Sequence, residues 1–481
     1  MFYDVVIIGA GISGAMCAYK LSKYKLNIAV LEAGIDVAAG STRANSAIIH
    51  AGYDAKEGTL KAKLNVKGCE MMQELTDALG VHYKNCGSLV VGFDDYDREQ
   101  IEILKKRGET NGVKGLRILD KRELHKMEPN VSPSAVCALF APTAGIVCPY
   151  DLAFALSENA ATNGAEFYFN FKVSSIEKTD NGYAVSDGND TVCGKYIISA
   201  TGIYCDEIAK MIDDPLPFEI IPRRGEYMLL DKAEGKTTQR TLFVTPNENG
   251  KGILVTPTAD GNIIVGPNAN VVDEKGDTSV TIEGLEEISE GARRLVPNIN
   301  LGAMITSFAG VRPTPSTRDF YIQESEKCKN FIHVAGIESP GLASSPAIGD
   351  YVVDILKKCG LKLVEKPDYI PTRSKEGNFK LFYDMTDKER KAAIEKNPLY
   401  AKVVCRCENI TEGDVVNAIH RPIPAYTSDM VKRRTRSGMG RCQGGFCNTK
   451  VAEIIARELG IPVDQVQKFG KNSNILCGKT K

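Results

Sequence analysis

The chain opens with a short apolar run, a glycine-rich turn and then a helical pattern. Residues 3–8 read Tyr-Asp-Val-Val-Ile-Ile, which is typical of a buried parallel strand. A helix is predicted from Ser13 to about Lys23, and a second strand from Asn27 to Leu31 ends at Glu32. This strand–helix–strand order predicts an α/β fold that begins with a Rossmann-like unit.

The middle of the chain alternates helical and strand patterns. An amphipathic helix is predicted for Asp151 to Asn163. Strands are predicted for Glu166 to Glu177, Tyr183 to Val185 and Tyr196 to Ala200. Two further segments, 219–230 and 252–266, are rich in β-branched residues and predict an antiparallel sheet.

The character of the sequence changes after residue 363. The stretch 364–400 is polar, contains Pro367, Pro371 and a dense run of charges, and is predicted to be a linker. Residues 401–481 then form a small module with two helical patterns, Glu412 to His420 and Val451 to Leu459. A module of this size buries little apolar surface, so a bound metal would help to stabilise it.

Composition limits the classes of protein to which this chain can belong. The chain has 481 residues and a formal net charge of −1, which gives no electrostatic reason to expect nucleic-acid binding. No apolar run is long enough to span a bilayer, and Asp4 interrupts any signal-peptide pattern. The 14 cysteines are therefore expected to be reduced thiols and metal ligands in a cytoplasmic protein.

The turn after the first strand is a dinucleotide fingerprint. Gly9, Gly11 and Gly14 form Gly-x-Gly-x-x-Gly between a predicted strand and a predicted helix. The glycines allow a tight turn, close approach of a pyrophosphate and close helix–strand packing, in that order. Glu32 ends the next strand, at the spacing expected for a carboxylate on a ribose hydroxyl.

The fingerprint occurs only once, which favours a flavin over a nicotinamide nucleotide. The small polar loop from Ser41 to Ser46 follows Glu32, and no second Gly-x-Gly-x-x-Gly turn lies downstream. A single nucleotide site beside a metal site is consistent with FAD that takes electrons from a bound substrate.

Four cysteines near the C-terminus form a second chemical motif. Cys405 and Cys407 make a Cys-x-Cys pair, and Cys442 and Cys447 follow as Cys-x4-Cys. Zinc and an iron–sulfur cluster both take four thiolates, but zinc sites usually pair Cys-x2-4-Cys, so the first pair favours iron and sulfur. The basic residues around the second pair are expected to form a solvated face, or to offset an anionic cluster or dock an acidic partner; they are Lys432, Arg433, Arg434, Arg436 and Arg441.

Several motifs resemble a known family. The fingerprint, Ile221 to Tyr227, Ala309 to Pro313 and Ala335 to Leu342 resemble the FAD-dependent D-amino-acid oxidase superfamily. Within it, the chain is most similar to glycerol-3-phosphate dehydrogenases and L-2-hydroxyglutarate oxidases. The tail resembles the bacterioferritin-associated ferredoxin-like [2Fe–2S] domain, and the combination is similar to the A subunit of anaerobic glycerol-3-phosphate dehydrogenase.

The resemblance implies a domain arrangement. Residues 1–363 would be the oxidoreductase, 364–400 the linker and 401–481 the [2Fe–2S] domain. FAD-binding parts would span about 1–80, 150–210 and 305–363, and parts of an antiparallel-sheet substrate domain about 81–149 and 211–304.

The resemblance also implies roles for individual residues. FAD would be held by Gly9, Gly11, Ile12, Ser13, Gly14, Glu32, Ala33, Ser41, Thr42, Asn45, Ser46, Val173, Thr201, Gly202, Gly336, Gly341 and Leu342. The cluster would be held by Cys405, Cys407, Cys442 and Cys447. Arg312 would reach the anionic group of the substrate.

The remaining site residues are inferred from the chemistry of alcohol oxidation. His50 follows the flavin loop and is either the base for the hydroxyl proton or a structural histidine of that loop. Tyr53 and Tyr227 are candidates for substrate hydrogen bonds or packing residues. Glycerol-3-phosphate dehydrogenases usually have an arginine four residues after this histidine, and Tyr53-Asp54 occupies this region here. The positive charge that this arginine would offer to a phosphate is then expected from Arg224, Lys61 or Lys63.

These observations lead to an expected function. The chain is predicted to be an FAD dehydrogenase for a small anionic hydroxy compound, foremost sn-glycerol 3-phosphate, that passes electrons through a [2Fe–2S] centre to a second subunit. Such a complex could lie at a membrane surface. L-2-hydroxyglutarate or an amine is the alternative substrate, and an electron-transfer subunit without a substrate is the alternative class.

Overall fold

The computed structural model describes residues 2–246, 252–476 and 478. The last part of the predicted cluster module, Cys477 and 479–481, therefore lies outside the described residues. Contacts divide the chain into two compact units. Unit 1 comprises Met1–Leu156 and Asn163–Tyr369, and unit 2 comprises Ser157–Thr162 and Ile370–Lys481. No helix among the described residues is both long and apolar enough to cross a bilayer.

Unit 1 contains twenty of the described strands and most of the helices. The strands are β1 Phe2–Ile8, β2 Ile28–Leu31, β3 Ile48–Ile49, β4 Tyr83–Lys84, β5 Ser88–Gly92, β6 Arg117–Asp120, β7 Cys137–Ala141, β8 Gly145–Val147, β9 Glu166–Tyr168, β10 Ser175–Thr179, β11 Gly182–Ser186, β12 Thr191–Ser199, β13 Ile220–Leu230, β14 Thr241–Val244, β15 Leu254–Pro257, β16 Ile263–Gly266, β17 Asn270–Val271, β18 Met304–Pro315, β19 Tyr321–Glu324 and β20 Phe331–Ala335. The helices are α1 Ile12–Leu21, α2 Leu60–Leu79, α3 Asp95–Thr110, α4 Lys121–Met127, α5 Pro149–Thr162, α6 Cys205–Met211, α7 Ile282–Leu295 and α8 Gly341–Lys358; the last six residues of α5 fall in unit 2.

The first sheet of unit 1 is the predicted Rossmann-like sheet. Its strands run in the order β10-β11-β12-β1-β2-β9, with β20 on β12 and β19 on β20. The pairs around β1, namely β1–β2, β1–β12, β2–β9 and β12–β20, are parallel, and β10, β11 and β19 add antiparallel edges. Because β1 and β2 are parallel and adjacent, their carboxyl ends bring the glycine turn and Glu32 to the same edge.

The strand predicted for Glu166 to Glu177 is wrong, since the chain forms two strands, β9 and β10, with a loop between them. Asn170 lies in this loop with a left-handed φ of 58°. Its N–H bonds to the Gly34 carbonyl at 2.9 Å, and the Phe171 N–H bonds to the Glu32 carbonyl at 2.9 Å. These bonds hold the loop against the end of β2, where it places Val173 beside the nucleotide turn.

The second sheet has nine strands and confirms the predicted antiparallel sheet. Its order is β17-β13-β16-β15-β14-β5-β7-β6, with β18 paired along the whole of β13. The β14–β5 pair is the parallel exception among its ladders. Amphipathic α7 is capped by the Thr281 side chain and covers one face with Ile288, Ala292 and Leu295, which form an apolar core with the strands.

Helices α2 and α8 pack closely, and this packing fixes the position of the N-terminus of α8. The Thr59 side chain caps α2 at the Ala62 N–H, and Gly80, with a φ of 63°, ends the helix. A Cβ on Gly68 would lie 2.2 Å from the Ala343 carbonyl oxygen, so only glycine permits this approach. The start of α8, with Gly341 and Leu342, is thereby fixed.

Unit 2 contains α9 Asp387–Lys396, the antiparallel pair β21 Val403–Cys405 and β22 Ile410–Thr411, α10 Glu412–Ile419, α11 Ser428–Thr435 and α12 Asn448–Leu459. Thr411 and Asp414 form a capping box at the start of α10. The segment predicted as a linker, 364–400, contains α9 and contributes the buried Arg373, whose Nε donates to Glu158 at 2.7 Å within unit 2.

Candidate functional site

A cavity of about 1660 Å³ lies within unit 1. Its walls are the turn after β1, the loop after β2, the start of α8 and the facing ends of β13 and β18. Single small ligands usually occupy pockets of about 300–1,000 Å³, so this cavity has room for a dinucleotide together with a small substrate.

The turn after β1 has the geometry of a nucleotide-binding turn. Gly9 has a φ of 99°, and a Cβ on it would lie 2.5 Å from the Ala200 carbonyl oxygen. A Cβ on Gly14 would lie only 1.9 Å from the Gly9 carbonyl oxygen. Gly14 is therefore required for helix–strand packing and lies behind the cavity wall, whereas Gly9 and Gly11 line it.

Glu32 closes the nucleotide end of the cavity. Its carboxylate accepts hydrogen bonds from the backbone N–H groups of Ala10 and Gly34, each at 2.8 Å. Burial raises the pKa of Glu32, although both N–H groups oppose that shift. The carboxylate is thus held at the end of β2 where a ribose hydroxyl can reach it.

The loop after β2 links the nucleotide turn to the substrate sheet. The Thr42 hydroxyl accepts the Ile12 N–H at 3.0 Å, and the Ser41 hydroxyl donates to the Val311 carbonyl at 2.6 Å. Asn45 donates to the Thr42 carbonyl and accepts the Ala47 N–H. The loop is therefore fixed between α1 and β18.

Two arginines face this cavity from neighbouring strands. Arg223 of β13 and Arg312 of β18 are directly opposite in the antiparallel register, so their side chains share a face. Burial lowers the pKa of Arg223; the charges of Arg318 and Arg312 lower it further, and Glu338 opposes them. Arg312 donates to the Asn268 carbonyl at 2.9 Å, and all five of these residues line the cavity.

Arg224, which was predicted to contact substrate, does not line the cavity. It points to the opposite face of β13, where it pairs with buried Glu226 at 3.1 Å and with Asp277 at 2.5 Å. Strand alternation places Arg223, and not Arg224, on the same face as Tyr227. The alternation along this strand could have identified Arg223 as a cavity residue from the sequence. Arg318 lies in the loop after β18, and no sequence pattern indicated its place at the cavity.

Of the two lysines suggested as sources of charge, Lys61 lines the cavity and Lys63 does not. The Lys61 ammonium pairs with Glu338 at 2.8 Å, and both side chains are nearly buried. Glu338 also accepts the Thr314 hydroxyl at 2.9 Å. The charge of Lys61 is therefore already balanced.

His50 lies half-buried at the cavity wall. Its Nε2 is 3.4 Å from the Ser339 hydroxyl, and its ring lies 5.7 Å from that of Phe243. The Asn65 side chain donates to the His50 carbonyl at 2.7 Å, which holds the backbone in place. The ring thus reaches the cavity from a rigid support.

The two tyrosines are buried parts of the cavity wall. Tyr227 stacks on Phe308, with ring centroids 4.8 Å apart. Burial raises the pKa of Tyr227 and of Tyr53, so both phenols stay protonated at neutral pH. Each phenol also has a serine as hydrogen-bond partner, Ser46 for Tyr227 and Ser88 for Tyr53.

The other predicted cofactor residues are also near the cavity. Those that line it are Ile12, Ser13, Ala33, Ser46, Val173, Thr201, Gly202, Gly341 and Leu342. Gly336 does not line it: it turns the chain after β20 with a φ of 65°, beside Pro315.

The four C-terminal cysteines meet as two pairs within unit 2. The Sγ atoms of Cys407 and Cys442 are 3.7 Å apart. A hydrogen bond from Cys447 lowers the pKa of Cys405 to about 6, against the effect of burial. Burial opposes ionisation of Cys442, but N–H groups of the following turn, foremost that of Gly444, hold its pKa below its ordinary value.

The four thiols are paired but are not all gathered around one point. In the described part of the chain, no group of three or more His, Cys, Asp or Glu side chains could hold a single metal ion. Four thiolates on one zinc would all lie within about 3.8 Å of each other, given Zn–S bonds of about 2.3 Å. A [2Fe–2S] cluster also takes four thiolates, and two pairs could supply them.

Comparison with known proteins identifies both parts of the chain. Residues 4–355 match the family described as DAO, FAD dependent oxidoreductase. The chain belongs to the DAO family of FAD-dependent oxidoreductases. Residues 403–457 match the BFD-like [2Fe-2S] binding domain, and this match favours iron and sulfur over zinc.

Individual relatives agree with this family. A glycerol 3-phosphate dehydrogenase of Caloramator mitchellensis is 47% identical over 100% of this chain and 99% of that protein. The mitochondrial L-2-hydroxyglutarate dehydrogenase of Bos taurus is 28% identical over 73% of this chain and 88% of its own. A solved structure of reduced L-alpha-glycerophosphate oxidase from Mycoplasma pneumoniae with FAD bound is 32% identical to this chain, with a TM-score of 0.73. The match covers 77% of this chain and 98% of that one.

FAD and a [2Fe–2S] cluster are the cofactors of this DAO-family protein. The side chains present fit both groups. The glycine turn is tight enough that a Cβ on Gly9 or Gly14 would collide with backbone, Glu32 stands at the end of β2, and the cysteines offer thiolates in pairs.

The packing of Gly14 leads to a prediction. Gly14→Ala should yield protein with at most about a tenth of the wild-type FAD content, because the new methyl group forces α1 away from the turn that binds the cofactor. Flavin absorbance per chain after purification measures this content. Gly302→Ala is the matched control, since its nearest neighbour is a side-chain oxygen at 3.3 Å. Equal flavin content in both variants would contradict the role of the turn.

Proposed function

We propose that the protein oxidises sn-glycerol 3-phosphate to dihydroxyacetone phosphate. The observation that carries this proposal is the position of Arg223, Arg312 and Arg318 on the same cavity as the loop Ser41–Ser46 and His50. The Caloramator relative, which is similar over the full length and is named for this reaction, supports it.

Charge favours a phosphate over a single carboxylate. Near Arg223 the fixed charges are those of Arg318, Arg312 and Glu338, and Glu338 is already paired with Lys61. The three arginines therefore supply an excess of positive charge. A phosphate monoester carries about −1.5 to −2 at neutral pH, and guanidinium forks bind its oxygens two at a time.

We assign the proton of the substrate hydroxyl to His50. The Nε2 atom reaches the cavity, and Ser339 at 3.4 Å can exchange a hydrogen bond with it. A neutral imidazole accepts a proton near pH 7, as this oxidation requires. Tyr53 and Tyr227 would position the substrate between this base and the arginines.

The residues that hold FAD are assigned by their place in the cavity. Gly9, Gly11, Ile12, Ser13, Glu32, Ala33 and Val173 would hold its nucleotide half, supported from behind by Gly14. Ser41, Thr42, Asn45, Ser46, Thr201, Gly202, Gly341 and Leu342 would hold the remainder, with Gly336 shaping the approach of the last two. Bound FAD supplies a two-electron acceptor for the hydride of the alcohol carbon, and the cluster on Cys405, Cys407, Cys442 and Cys447 supplies a one-electron carrier.

We further propose that a second polypeptide accepts the electrons. The fused BFD-like domain supports this proposal, because a one-electron carrier is useful to a dehydrogenase that hands electrons to another protein. Any association with a membrane would then be made by that second polypeptide.

L-2-hydroxyglutarate is the second candidate substrate. The bovine relative and the absence of an arginine four residues after His50 favour it. Two further alternatives are an amine substrate and an electron-transfer role without any substrate. The experiment described next distinguishes both of them from oxidation of L-2-hydroxyglutarate.

Anaerobic mixing of the purified holoprotein with each substrate tests the proposal. Glycerol 3-phosphate should bleach the oxidised flavin absorbance within one turnover, whereas L-2-hydroxyglutarate and glycine should leave it unchanged. An iron and acid-labile sulfide assay on the same sample establishes that the cluster is present. Bleaching by L-2-hydroxyglutarate or by the amine alone would reassign the substrate, and no bleaching by any of them would favour the non-catalytic class.

A further inference from the structure

The two cysteine pairs differ in their access to solvent. Cys405 and Cys447 are buried, at 2% and 1% exposure. Cys407 is exposed and Cys442 is partly exposed. A cluster held by these cysteines would be closest to solvent at the Cys407–Cys442 pair, and electrons would leave most readily there, because transfer between proteins slows steeply with distance.

The side chains next to these cysteines form a distinctive surface, here called the cluster face and defined by Arg406, Cys407, Arg441 and Phe446. Arg406 directly precedes Cys407, Arg441 directly precedes Cys442, and Phe446 directly precedes Cys447. Both arginines are exposed. Phe446 is 84% exposed, more than any other large apolar side chain that the structure describes.

Four of the five basic residues predicted near the second cysteine pair are buried or only partly exposed, so they do not form the expected solvated run. Arg434 is buried and donates to the carbonyls of Ile423 and Met430. Arg436 is buried and pairs with Glu408 at 2.8 Å. Burial also lowers the pKa of Lys432. Of the five residues in the predicted run, Arg441 alone is exposed.

We propose that the cluster face docks an acidic one-electron carrier protein, with Phe446 as the apolar anchor and Arg406 and Arg441 as the charged rim. Aromatic and arginine side chains are the residues that most often dominate such interfaces. An acidic rim on the partner complements the two arginines and accelerates encounter. This inference rests on the proposed function of the cluster as the exit for electrons.

The electron balance of each encounter is simple. One electron passes to the redox centre of the partner, which is reduced while the cluster is oxidised, and neither a proton nor a group is transferred. Two encounters remove the two electrons of one substrate oxidation.

The test begins with dithionite-reduced holoprotein and so does not depend on the substrate. Stopped-flow mixing measures the second-order rate of electron transfer to plastocyanin, an acidic copper protein, and to cytochrome c, a basic one. Binding of oxidised plastocyanin, followed by its change in anisotropy, gives a readout that is independent of electron transfer. The anaerobic substrate assay, run separately, reports on the proposed function.

For the wild-type protein, the rate of electron transfer to plastocyanin should fall as the salt concentration increases. Arg406→Glu combined with Arg441→Glu should lower the plastocyanin rate about tenfold and raise the cytochrome c rate. Phe446→Ser should weaken binding to plastocyanin at every salt concentration without changing the salt slope.

Lys388→Glu combined with Lys391→Glu is the matched control, because it makes the same change in net charge on α9, which carries no cysteine. It should change the plastocyanin rate less than twofold. If the double glutamate variant lacks the cluster spectrum, Arg406→Gln combined with Arg441→Gln takes its place. Equal rates in the wild-type and cluster-face variants, or an equal loss in the control, would overturn the proposal.

Discussion

Arg312→Gln and Arg223→Gln should each lower kcat/KM for glycerol 3-phosphate by about a hundredfold. Removal of one partner from a desolvated charge pair costs about 2–5 kcal/mol, and 1.36 kcal/mol corresponds to a tenfold change in rate. The two guanidinium groups lie opposite each other on β13 and β18 and share the cavity with Arg318. Arg312→Lys should retain part of the activity, because it keeps the charge but loses the fork.

Steady-state kinetics with a range of substrate concentrations checks this prediction. Arg224→Gln is a close control, since it changes the adjacent arginine on the opposite face of the same strand. It should leave KM unchanged and lower Tm, because Glu226, whose side chain is fully buried, loses its ion pair. A raised KM in Arg224→Gln together with an unchanged KM in Arg223→Gln would show that the assignment of faces is wrong.

Cys407→Ser should abolish electron transfer to protein acceptors, with at least a hundredfold loss in rate, while glycerol 3-phosphate still bleaches the flavin. Cys407 belongs to the cysteine pair of unit 2, whereas every residue that lines the flavin cavity belongs to unit 1. A serine hydroxyl ionises far less readily than a thiol and is a poor ligand for iron. The cluster should therefore be lost without a change at the flavin.

Iron and sulfide content, the electron paramagnetic resonance signal of the reduced protein and anaerobic flavin bleaching are measured on the same preparation. Cys193→Ser is the control, because Cys193 lies on β12 in unit 1 and has no part in either cysteine pair. It should retain the cluster and both activities. Loss of flavin bleaching in Cys407→Ser would mean that the cluster has a structural role.

Local patterns were sufficient for several parts of the fold and of the site. The glycine fingerprint, Glu32 and the four cysteines are short motifs whose spacing reflects a local backbone geometry, and they lie within the segments that the two family models match. The antiparallel sheet was predicted from its β-branched segments. Loop boundaries were less predictable: the strand predicted through Asn170 breaks because that residue bonds to the distant Gly34.

The sequence by itself determined that the chain binds one dinucleotide and carries four thiolates, because both features depend on residues close together in the chain. Only the tertiary structure decided which charges line the cavity. Arg223 and Arg224 are adjacent, yet one faces the cavity with Arg312 and the other is held by Glu226 and Asp277. The reason is that successive residues of a strand face opposite sides, and the side that becomes the cavity is set by the pairing of β13 with β18.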